Sequence, residues 1–361
     1  MEAMAMSASF WAGKRVLVTG HTGFKGSWLS LWLRCLGAQV TGFALAPPTA
    51  PSLFELAGVA ADLTDLRGDV RDAAALLAAV QAAQPQIVLH LAAQPLVSEG
   101  YSDPAGTYAS NVMGTLHLLE AVRQVPGVQA CVVVTTDKVY ANQEWAWGYR
   151  EHEPLGGHDP YSSSKACCEL LTQCWAASFF PASRYAQHGL ALATARAGNV
   201  LGGGDFAANR LLPDIFRAWD AGQPLHVRYP QAVRPWQHVL EPLSGYLRLA
   251  QRLVEQGPAF AGAFNFGPRD VDMSPVSDVI DTLERAWPEP VRVIRASGEQ
   301  PHEAGQLRLD SSLARSRLGW APRWSLQQCL EQTLAWHRAW RQGDDLRALT
   351  LAQLHDYGLQ P

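Results

Sequence analysis

The chain has 361 residues, of which 48% are hydrophobic and 17% charged, which indicates a globular protein with a substantial core. Its formal net charge is −4 and it has no basic run, which argues against nucleic-acid and membrane-surface binding. None of the six cysteines forms a CxxC pair, no apolar stretch is long enough to cross a bilayer, and the N-terminus does not resemble a signal peptide. We therefore expect reduced cysteines and a cytoplasmic protein.

Strand and helix patterns alternate along the first two-thirds of the chain. The predicted strands include RVLVTG, AQVTGFAL, QIVLHLAA, QACVVVTT and LALATARAG, and the predicted helices include GSWLSLWLRCLG, DAAALLAAVQAAQP, TYASNVMGTLHLLEAVRQV and SKACCELLTQCWAASFF. Helical segments of this length between strands indicate βαβ units and a parallel sheet. The strands are continuous apolar runs, so helices should cover both faces. The sequence predicts an α/β fold with a Rossmann-type, doubly wound parallel sheet.

The composition of the sequence changes near residue 198. After this point Gly and Pro become frequent and the βα alternation stops. We predict that residues 1–198 form the sheet domain, with the chain returning to it near residues 235–270. Residues 199–361 should mainly form a smaller C-terminal α/β lobe, which we expect to bind the substrate.

A glycine-rich loop follows the first predicted strand. VTGHTGFKGSW places Gly20, Gly23 and Gly26 between that strand and a helix, where glycines let the backbone approach a pyrophosphate at the helix N-terminus. This GxxGxxG spacing resembles that of the short-chain dehydrogenase/reductase superfamily, in its extended sugar-nucleotide branch. The resemblance implies a dinucleotide held by this loop, by GDVRD after the third strand and by HLAAQPLV after the fourth. The expected cofactor contacts are Gly20, Thr22, Gly23, Phe24, Lys25, Gly26, Asp69, Val70, Leu91, Ala92, Ala93 and Gln94, together with Tyr161 and Lys165.

A tyrosine and a lysine in DPYSSSKACCELL provide the expected proton transfer. Tyr161 and Lys165 are four residues apart at a helix start and so lie on one face. A tyrosine with a pKa of about 10 is a poor base, and lowering that pKa by roughly three units takes about 4 kcal/mol. A nearby ammonium and a nicotinamide cation both favour the phenolate. The superfamily resemblance adds a Ser or Thr hydroxyl at the end of the fifth strand; we choose Thr136, with Thr135 as the alternative.

Two charged residues follow that threonine, Asp137 and Lys138. Together with GYREHEPLGGHDPYSSSK, ARAGNVLGGGDFAANRLLPDI and RPWQHVLEPLSGYL, the TDK triplet resembles the family of CDP-glucose 4,6-dehydratases, over roughly residues 14–337. The resemblance implies that Asp137 is the acid for the C6 hydroxyl. Lys138 stands where related dehydratases carry a glutamate base for C5. It either removes the C5 proton as a neutral amine or remains charged and stabilises the enolate.

The family resemblance also implies ligands. NAD is favoured over NADP because the hydride is recycled internally, although the second strand lacks the usual ribose-binding acid and Lys25 would tolerate an extra phosphate. CDP-glucose is the expected substrate. Arginine suits its pyrophosphate because guanidinium binds such groups bidentately. The expected substrate contacts are Asn199, Arg210, Arg234, His302 and Glu303.

No metal site is expected, because the histidines lack metal-ligand spacing. The resemblance predicts a homodimer or homotetramer that pairs through the helices following Val112 and Ser164. Two other functions remain open. A nucleotide-sugar epimerase would have no use for the charged pair after Thr136. A non-catalytic dinucleotide sensor built on this fold would commonly lack the YxxxK pair.

Overall fold

The computed structural model describes residues 8–227, 229–295 and 306–358. Its strands are β1 (Arg15–Thr19), β2 (Gln39–Ala44), β3 (Thr64–Arg67), β4 (Ile87–His90), β5 (Ala130–Val134), β6 (Ala191–Ala197), β7 (Val200–Leu201), β8 (Leu225–Val227), β9 (Val233–Arg234), β10 (Gln237–His238), β11 (Gly262–Phe266), β12 (Ser274–Pro275) and β13 (Val293–Arg295). Its helices are α1 (Ala8–Trp11), α2 (Phe24–Cys35), α3 (Leu53–Leu56), α4 (Ala73–Ala83), α5 (Val97–Ser102), α6 (Pro104–Tyr108), α7 (Gly114–Gln124), α8 (Pro160–Ser178), α9 (Tyr185–His188), α10 (Leu211–Asp220), α11 (Leu240–Gln256), α12 (Val276–Ala286), α13 (Leu326–Gln342) and α14 (Leu346–Tyr357).

A seven-stranded parallel sheet in the order β11-β6-β5-β4-β1-β2-β3 forms the centre of the protein. The chain starts in the middle, winds outward to β3, crosses back over β1 to β4 and winds outward in the other direction. The predicted doubly wound α/β fold is confirmed. This reversal of direction between β1 and β4 opens a crevice at the carboxyl ends of the strands, where ligands bind in such sheets.

Strand β5 shows why the apolar runs are unbroken. Val132 and Val134 pack in the cluster that contains α2 and α11, whereas Cys131 and Val133 pack in the cluster that contains α4 and α7. Successive side chains point to opposite faces, and both faces are buried. Full burial of each valine contributes roughly 1.5–3 kcal/mol, which stabilises β5 within the sheet.

Two predicted helices differ in detail from the structure. The long helix expected over TYASNVMGTLHLLEAVRQV is α6 and α7 joined by a single π-helical turn at Ala109–Met113. Helix α8 begins at Pro160, before the predicted start at Ser164, because the Asp159 side chain accepts a hydrogen bond from the backbone N–H of Ser162 at 3.0 Å. Tyr161 therefore lies in the first turn of this helix, on one face with Lys165, as the four-residue spacing predicts.

A third apolar cluster lies outside the sheet and combines α10, α12, β8 and the first half of α13. By contrast, β11 and α11 belong to the sheet and its core, and α14 also packs there. Glu241 at the start of α11 is fully buried, and its carboxylate accepts hydrogen bonds from the backbone N–H of Trp324 at 2.8 Å and from the Tyr357 hydroxyl at 2.5 Å. The division into residues 1–198 and 199–361 stays a prediction.

Within the described ranges, no helix has the length and apolar character needed to cross a bilayer.

Candidate active site

A cavity of about 2000 Å³ opens at the carboxyl edge of the sheet. Typical pockets for one small ligand have volumes of about 300–1,000 Å³, so this one has room for two large ligands. Every predicted site residue that the structure describes lines it, from the loops after β1, β3, β4, β5 and β6 and from the smaller lobe. His302 and Glu303 lie outside the described residues.

The glycine-rich loop forms a cradle that admits no side chains at two positions. Gly20 has φ +78°, and a Cβ atom there would lie 2.7 Å from the backbone N of Ala92. A Cβ atom on Gly26 would lie 2.1 Å from the carbonyl oxygen of Gly20. Helix α2 begins directly after Gly23 with no side-chain cap, so its first N–H groups are available to an anion. The residues present fit a dinucleotide pyrophosphate.

A side-chain contact between the glycine-rich loop and β3 was not predicted from the sequence. His21 Nε2 lies 2.8 Å from Asp65 Oδ1, and Arg67 donates to Asp65 Oδ2 at 2.7 Å.

Asp69, the expected adenine contact, accepts two hydrogen bonds from the Arg71 guanidinium, at 2.8 and 2.6 Å. The guanidinium lowers the pKa of Asp69, which keeps that carboxyl ionised at the cavity wall.

Lys25 faces the opposite end of the cavity. Burial lowers its pKa to about 8, with Arg210 acting in the same direction and Asp137 opposing it. The Lys25 ammonium therefore lies near Asp137, an expected catalytic residue, and Arg210, an expected substrate contact. The expectation that Lys25 would tolerate an extra phosphate on the ribose stays a prediction.

Tyr161 and Lys165, here called the proton-transfer pair, lie on one face of α8 beside the end of β5. Lys165 Nζ donates to the Val134 carbonyl oxygen at 3.1 Å. Burial raises the pKa of Tyr161 to about 12, and a side-chain hydrogen bond with Thr136 opposes that rise. Among the groups of this chain, loss of hydration outweighs the favourable contacts of the phenol, and the expected lowering of the Tyr161 pKa beside a nicotinamide cation stays a prediction. A cation bound beside the phenol would act in the other direction.

The two threonines at the end of β5 have different partners. The Thr135 hydroxyl donates to Glu169 Oε1 at 2.5 Å. The Thr136 hydroxyl donates to Asp137 Oδ1 at 2.9 Å and also contacts Tyr161. Of the two hydroxyls, only that of Thr136 is placed between the proton-transfer pair and the charged residues that follow.

Asp137 and Lys138, here called the elimination pair, lie on a 3₁₀ turn over Asp137–Val139. Asp137 is 1% exposed, and its Oδ2 atom has no hydrogen-bond partner in the described part of the chain. Burial raises its pKa, although Lys138 and the Thr136 hydroxyl act in the opposite direction. A buried carboxyl with a raised pKa is suited to donate a proton. Lys138 is half-buried at the cavity wall.

Basic and amide groups line the smaller-lobe side. Arg234 is buried on β9, and its guanidinium donates to the Val233 carbonyl at 3.0 Å. Arg210 precedes α10 and pairs with Asp205 at 3.0 Å. Asn199 follows β6 and presents its side chain at the cavity wall. With Lys25, these arginines are three of the five described Lys and Arg side chains that line the cavity, and such cationic groups suit a diphosphate.

The histidine at the end of β4 has a structural environment. His90 Nδ1 lies 2.7 Å from the Thr19 hydroxyl and Nε2 lies 3.2 Å from the Thr115 hydroxyl. Burial lowers its pKa to about 3, so the ring is neutral. Across the described ranges, no group of three His, Cys, Asp or Glu side chains gathers in a metal-binding arrangement.

An ion pair below the cavity was also missed. Glu169 on α8 and Arg196 on β6 are both fully buried, with Nη2 and Oε2 2.8 Å apart. The sequence carries a signal for each residue, since a charged residue interrupts the apolar segments CCELL and ATARAG. Buried charges of this kind are normally paired. The spacing of 27 residues does not identify the partner.

Comparisons with known proteins agree with this geometry. The chain matches the family model described as GDP-mannose 4,6 dehydratase over residues 17–333. It is 50% identical over 349 residues to a CDP-glucose 4,6-dehydratase of Salmonella typhimurium strain LT2, which covers 97% of each chain. The structure of MoeE5 in complex with UDP-glucuronic acid and NAD aligns with a TM-score of 0.73 at 25% identity, over 90% of this chain and 99% of that one. The UDP-glucose 4-epimerase of Thermus thermophilus in complex with NAD has a TM-score of 0.77 at 24% identity, over 90% and 99% of the two chains, and supports the fold alone.

Proposed function

Because this chain belongs to the GDP-mannose 4,6 dehydratase family, we propose that it removes water from CDP-glucose to give CDP-4-dehydro-6-deoxy-D-glucose. The observation that carries the proposal is the elimination pair, which lies in the same cavity as the proton-transfer pair. An enzyme that only oxidises and re-reduces one carbon has no need of the elimination pair. The 50% sequence identity to a CDP-glucose 4,6-dehydratase, over 97% of each chain, supports CDP-glucose as the substrate.

NAD is the proposed cofactor. When bound, it would take a hydride from C4 of the sugar and return it to C6. The glycine cradle, Asp69 and Val70, and the loop from Leu91 to Gln94 would hold it, since all of them line the cavity. NAD in related solved structures, including that of MoeE5, supports this choice.

The first proton transfer is assigned to Tyr161. Its phenol oxygen takes the proton of the C4 hydroxyl as C4 becomes a carbonyl. Lys165 and the hydroxyl of Thr136 stabilise the phenolate form. Both contribute electrostatically in a site from which the protein excludes most water.

The elimination is assigned to the elimination pair. A carbonyl at C4 makes the C5 proton acidic. Lys138, acting as a neutral amine, removes that proton. Asp137 donates its proton to the C6 hydroxyl, which leaves as water, and a C5–C6 double bond forms. Return of hydrogen to C6 and of a proton to C5 completes the product, so only water is lost overall.

Proton balance also requires a transfer between the two pairs. Tyr161 ends the sequence with one extra proton and Asp137 with one fewer. The hydroxyl of Thr136 contacts both side chains, and it donates to Asp137 at 2.9 Å. It is therefore placed to pass the proton from the phenol to the carboxylate and restore the starting state.

The remaining expected contacts belong to the diphosphate. Arg234, Arg210 and Asn199 line the cavity, and Arg234 is the most buried of the three. We assign the bidentate contact to Arg234, because a buried guanidinium binds an anion in a fixed geometry.

A homodimer or homotetramer is also proposed. Met113 and Leu170, on the helices expected to pair, are 43% and 55% exposed, which is high for large apolar side chains. Light scattering of the wild-type chain and of Leu170→Glu tests this interface. A wild-type monomer, or an unchanged oligomer in the variant, would contradict it.

Incubation with CDP-glucose and NAD tests the reaction. We expect a 4-keto sugar, detected by its absorbance in alkali, and a mass decrease of one water. The dTDP-, UDP- and GDP-linked sugars serve as comparisons. Product from another nucleotide sugar but not from CDP-glucose would contradict the substrate alone. An epimerised sugar without loss of water would identify an epimerase instead.

A further inference from the structure

The buried ion pair formed by Glu169 and Arg196 lies between the helix and the strands that carry the reacting groups. Tyr161, Lys165 and Glu169 follow one another at intervals of four residues along α8, so they share one helix face. Glu169 and Arg196 are 0% and 1% exposed, and neither contributes to the cavity wall. The pair is therefore placed to act on the site from behind.

The carboxylate of this pair holds the end of β5. Glu169 Oε1 accepts a hydrogen bond from the Thr135 hydroxyl at 2.5 Å. Its other oxygen accepts from the Thr194 hydroxyl at 2.6 Å and from Arg196 at 2.8 Å. The residue immediately before Thr136 is thus fastened to the catalytic helix.

The guanidinium of the pair holds the chain on the other side of the reacting residues. Arg196 Nη1 donates to the Tyr140 hydroxyl at 2.8 Å, and the guanidinium lies 5.0 Å from the centroid of that ring. The Tyr140 hydroxyl in turn donates to Asn265 Oδ1 on β11 at 2.7 Å. Tyr140 comes two residues after Lys138. The segment Thr136–Lys138, here called the reacting segment, is consequently anchored at both ends.

Stability alone does not account for such a pair. Buried ion pairs often contribute no more to stability than apolar residues of the same volume. A guanidinium fork, however, fixes two acceptors at defined directions, which an apolar side chain cannot do. Glu169 also acts on Lys165: burial lowers the pKa of Lys165, and Cys168 and Glu169 oppose that lowering.

We propose that the Glu169–Arg196 pair is a positioning device for the elimination step. Through Thr135 and Tyr140 it holds the reacting segment in register with the proton-transfer pair on α8. The sugar oxidised at C4 then meets the acid and the base of the elimination pair without a rearrangement of the protein. Glu169 and Arg196 are positioning residues, and the assignment of the step rests on the proposed function.

Two variants release one anchor each and keep both charges: Thr135→Val and Tyr140→Phe. The matched control is Tyr246→Phe, because Tyr246 is a fully buried tyrosine on α11 whose hydroxyl has no hydrogen-bond partner among the described residues. In single turnovers with CDP-glucose and NAD, we measure the absorbance of reduced nicotinamide and the release of water from the sugar separately.

The anchor variants should slow the loss of water by about 10- to 100-fold, because small misplacements of reacting groups have effects of that size. The first hydride transfer should change by less than about threefold, and KM should stay within about twofold, since neither anchor binds the sugar in this account. Reduced nicotinamide should therefore accumulate. The Tyr246→Phe control should behave like the wild type in both steps.

A second measurement needs no substrate. Amide hydrogen exchange in the peptide that covers residues 136–140 should become about tenfold faster in Tyr140→Phe and stay unchanged in Tyr246→Phe. Unchanged exchange in Tyr140→Phe, unchanged loss of water, or equal slowing of both chemical steps overturns the positioning role. If the wild type forms no keto sugar from CDP-glucose, the proposed function fails, and the exchange result still decides whether the pair fastens the segment.

Discussion

The hydroxyl of Thr136 donates a hydrogen bond to Asp137 Oδ1 across 2.9 Å and also contacts the phenol of Tyr161. It is the side chain that joins the proton-transfer pair to the elimination pair. Thr136→Val keeps the shape of this side chain and removes the hydroxyl. We expect kcat to fall by about 10²–10⁴-fold, the range associated with a positioned proton-transfer group.

Thr136→Ser is the informative partner of that variant. A serine hydroxyl can make the same two contacts, so its activity should remain within about tenfold of the wild type. Steady-state rates of keto-sugar formation for the two variants provide the measurement. Equal losses in the valine and serine variants would mean that the methyl group, and not the hydroxyl, matters at this position.

Lys138→Ala should separate oxidation from elimination. The hydride-transfer residues remain in place, so bound NAD should still be reduced in a single turnover. Without a base for C5, or a charge to stabilise the enolate, water should not leave at a measurable rate. Lys14→Ala is the control, since Lys14 lies over the ring of Phe10 in the N-terminal region and outside the cavity wall. Unimpaired dehydration by Lys138→Ala would remove any catalytic role for this residue.

Arg234→Met should weaken substrate binding. Charge-assisted hydrogen bonds contribute about 1.5–3 kcal/mol each, so KM for CDP-glucose should rise by roughly 10- to 100-fold. The rate of hydride transfer at saturating substrate should change much less. Arg285→Met on the exposed side of α12 provides the control. An unchanged KM in Arg234→Met would move the diphosphate contact to another residue.

Glu241 should make the stability of the fold depend on pH. Burial raises its pKa to about 7, although the hydrogen bond from Tyr357 and those from the backbone at Trp324 and Arg323 oppose the rise. A carboxyl whose pKa is higher in the folded chain gives its full stabilisation below the unfolded pKa of about 4.3 and loses it as the pH rises towards the folded value. The loss is about 4 kcal/mol between these limits, as an order of magnitude.

Thermal unfolding of the wild type and of Glu241→Gln across this pH range measures that effect. The stability of the wild type relative to Glu241→Gln should be greatest below about pH 4.3, should fall as the pH rises to about 7 and should then stay constant. Glu331→Gln on the exposed face of α13 should run parallel to the wild type. A constant difference between wild type and Glu241→Gln would contradict the shifted pKa.

Local patterns in the sequence predict much of this protein. The alternation of apolar runs with long helical segments predicts the doubly wound sheet, and the glycine spacing after β1 predicts the cradle. The order of parallel strands then brings the ends of β5 and β6 together. Such features depend on residues that are close in sequence, and for that reason the structure has the features that the sequence pattern predicts.

Other features depend on contacts between distant segments. The Glu169–Arg196 pair arises only once α8 packs on β6, and the His21–Asp65 contact only once the loop after β1 lies beside β3. The pKa of Tyr161 was expected to be low, because the sequence reveals nearby charges but not the extent of burial. Desolvation is a property of the packed structure, and it raises the pKa of Tyr161 more than the surrounding groups of this chain lower it.

The two anchors at Thr135 and Tyr140 also constrain how this site can diversify. The chain between them is too short to absorb an inserted or deleted residue without releasing one of the two hydrogen bonds to the ion pair. The side chain at position 138, by contrast, contacts neither anchor and can be exchanged without lengthening the turn. Enzymes with this fold can therefore change the base by a single substitution at position 138, while the number of residues in the turn stays fixed.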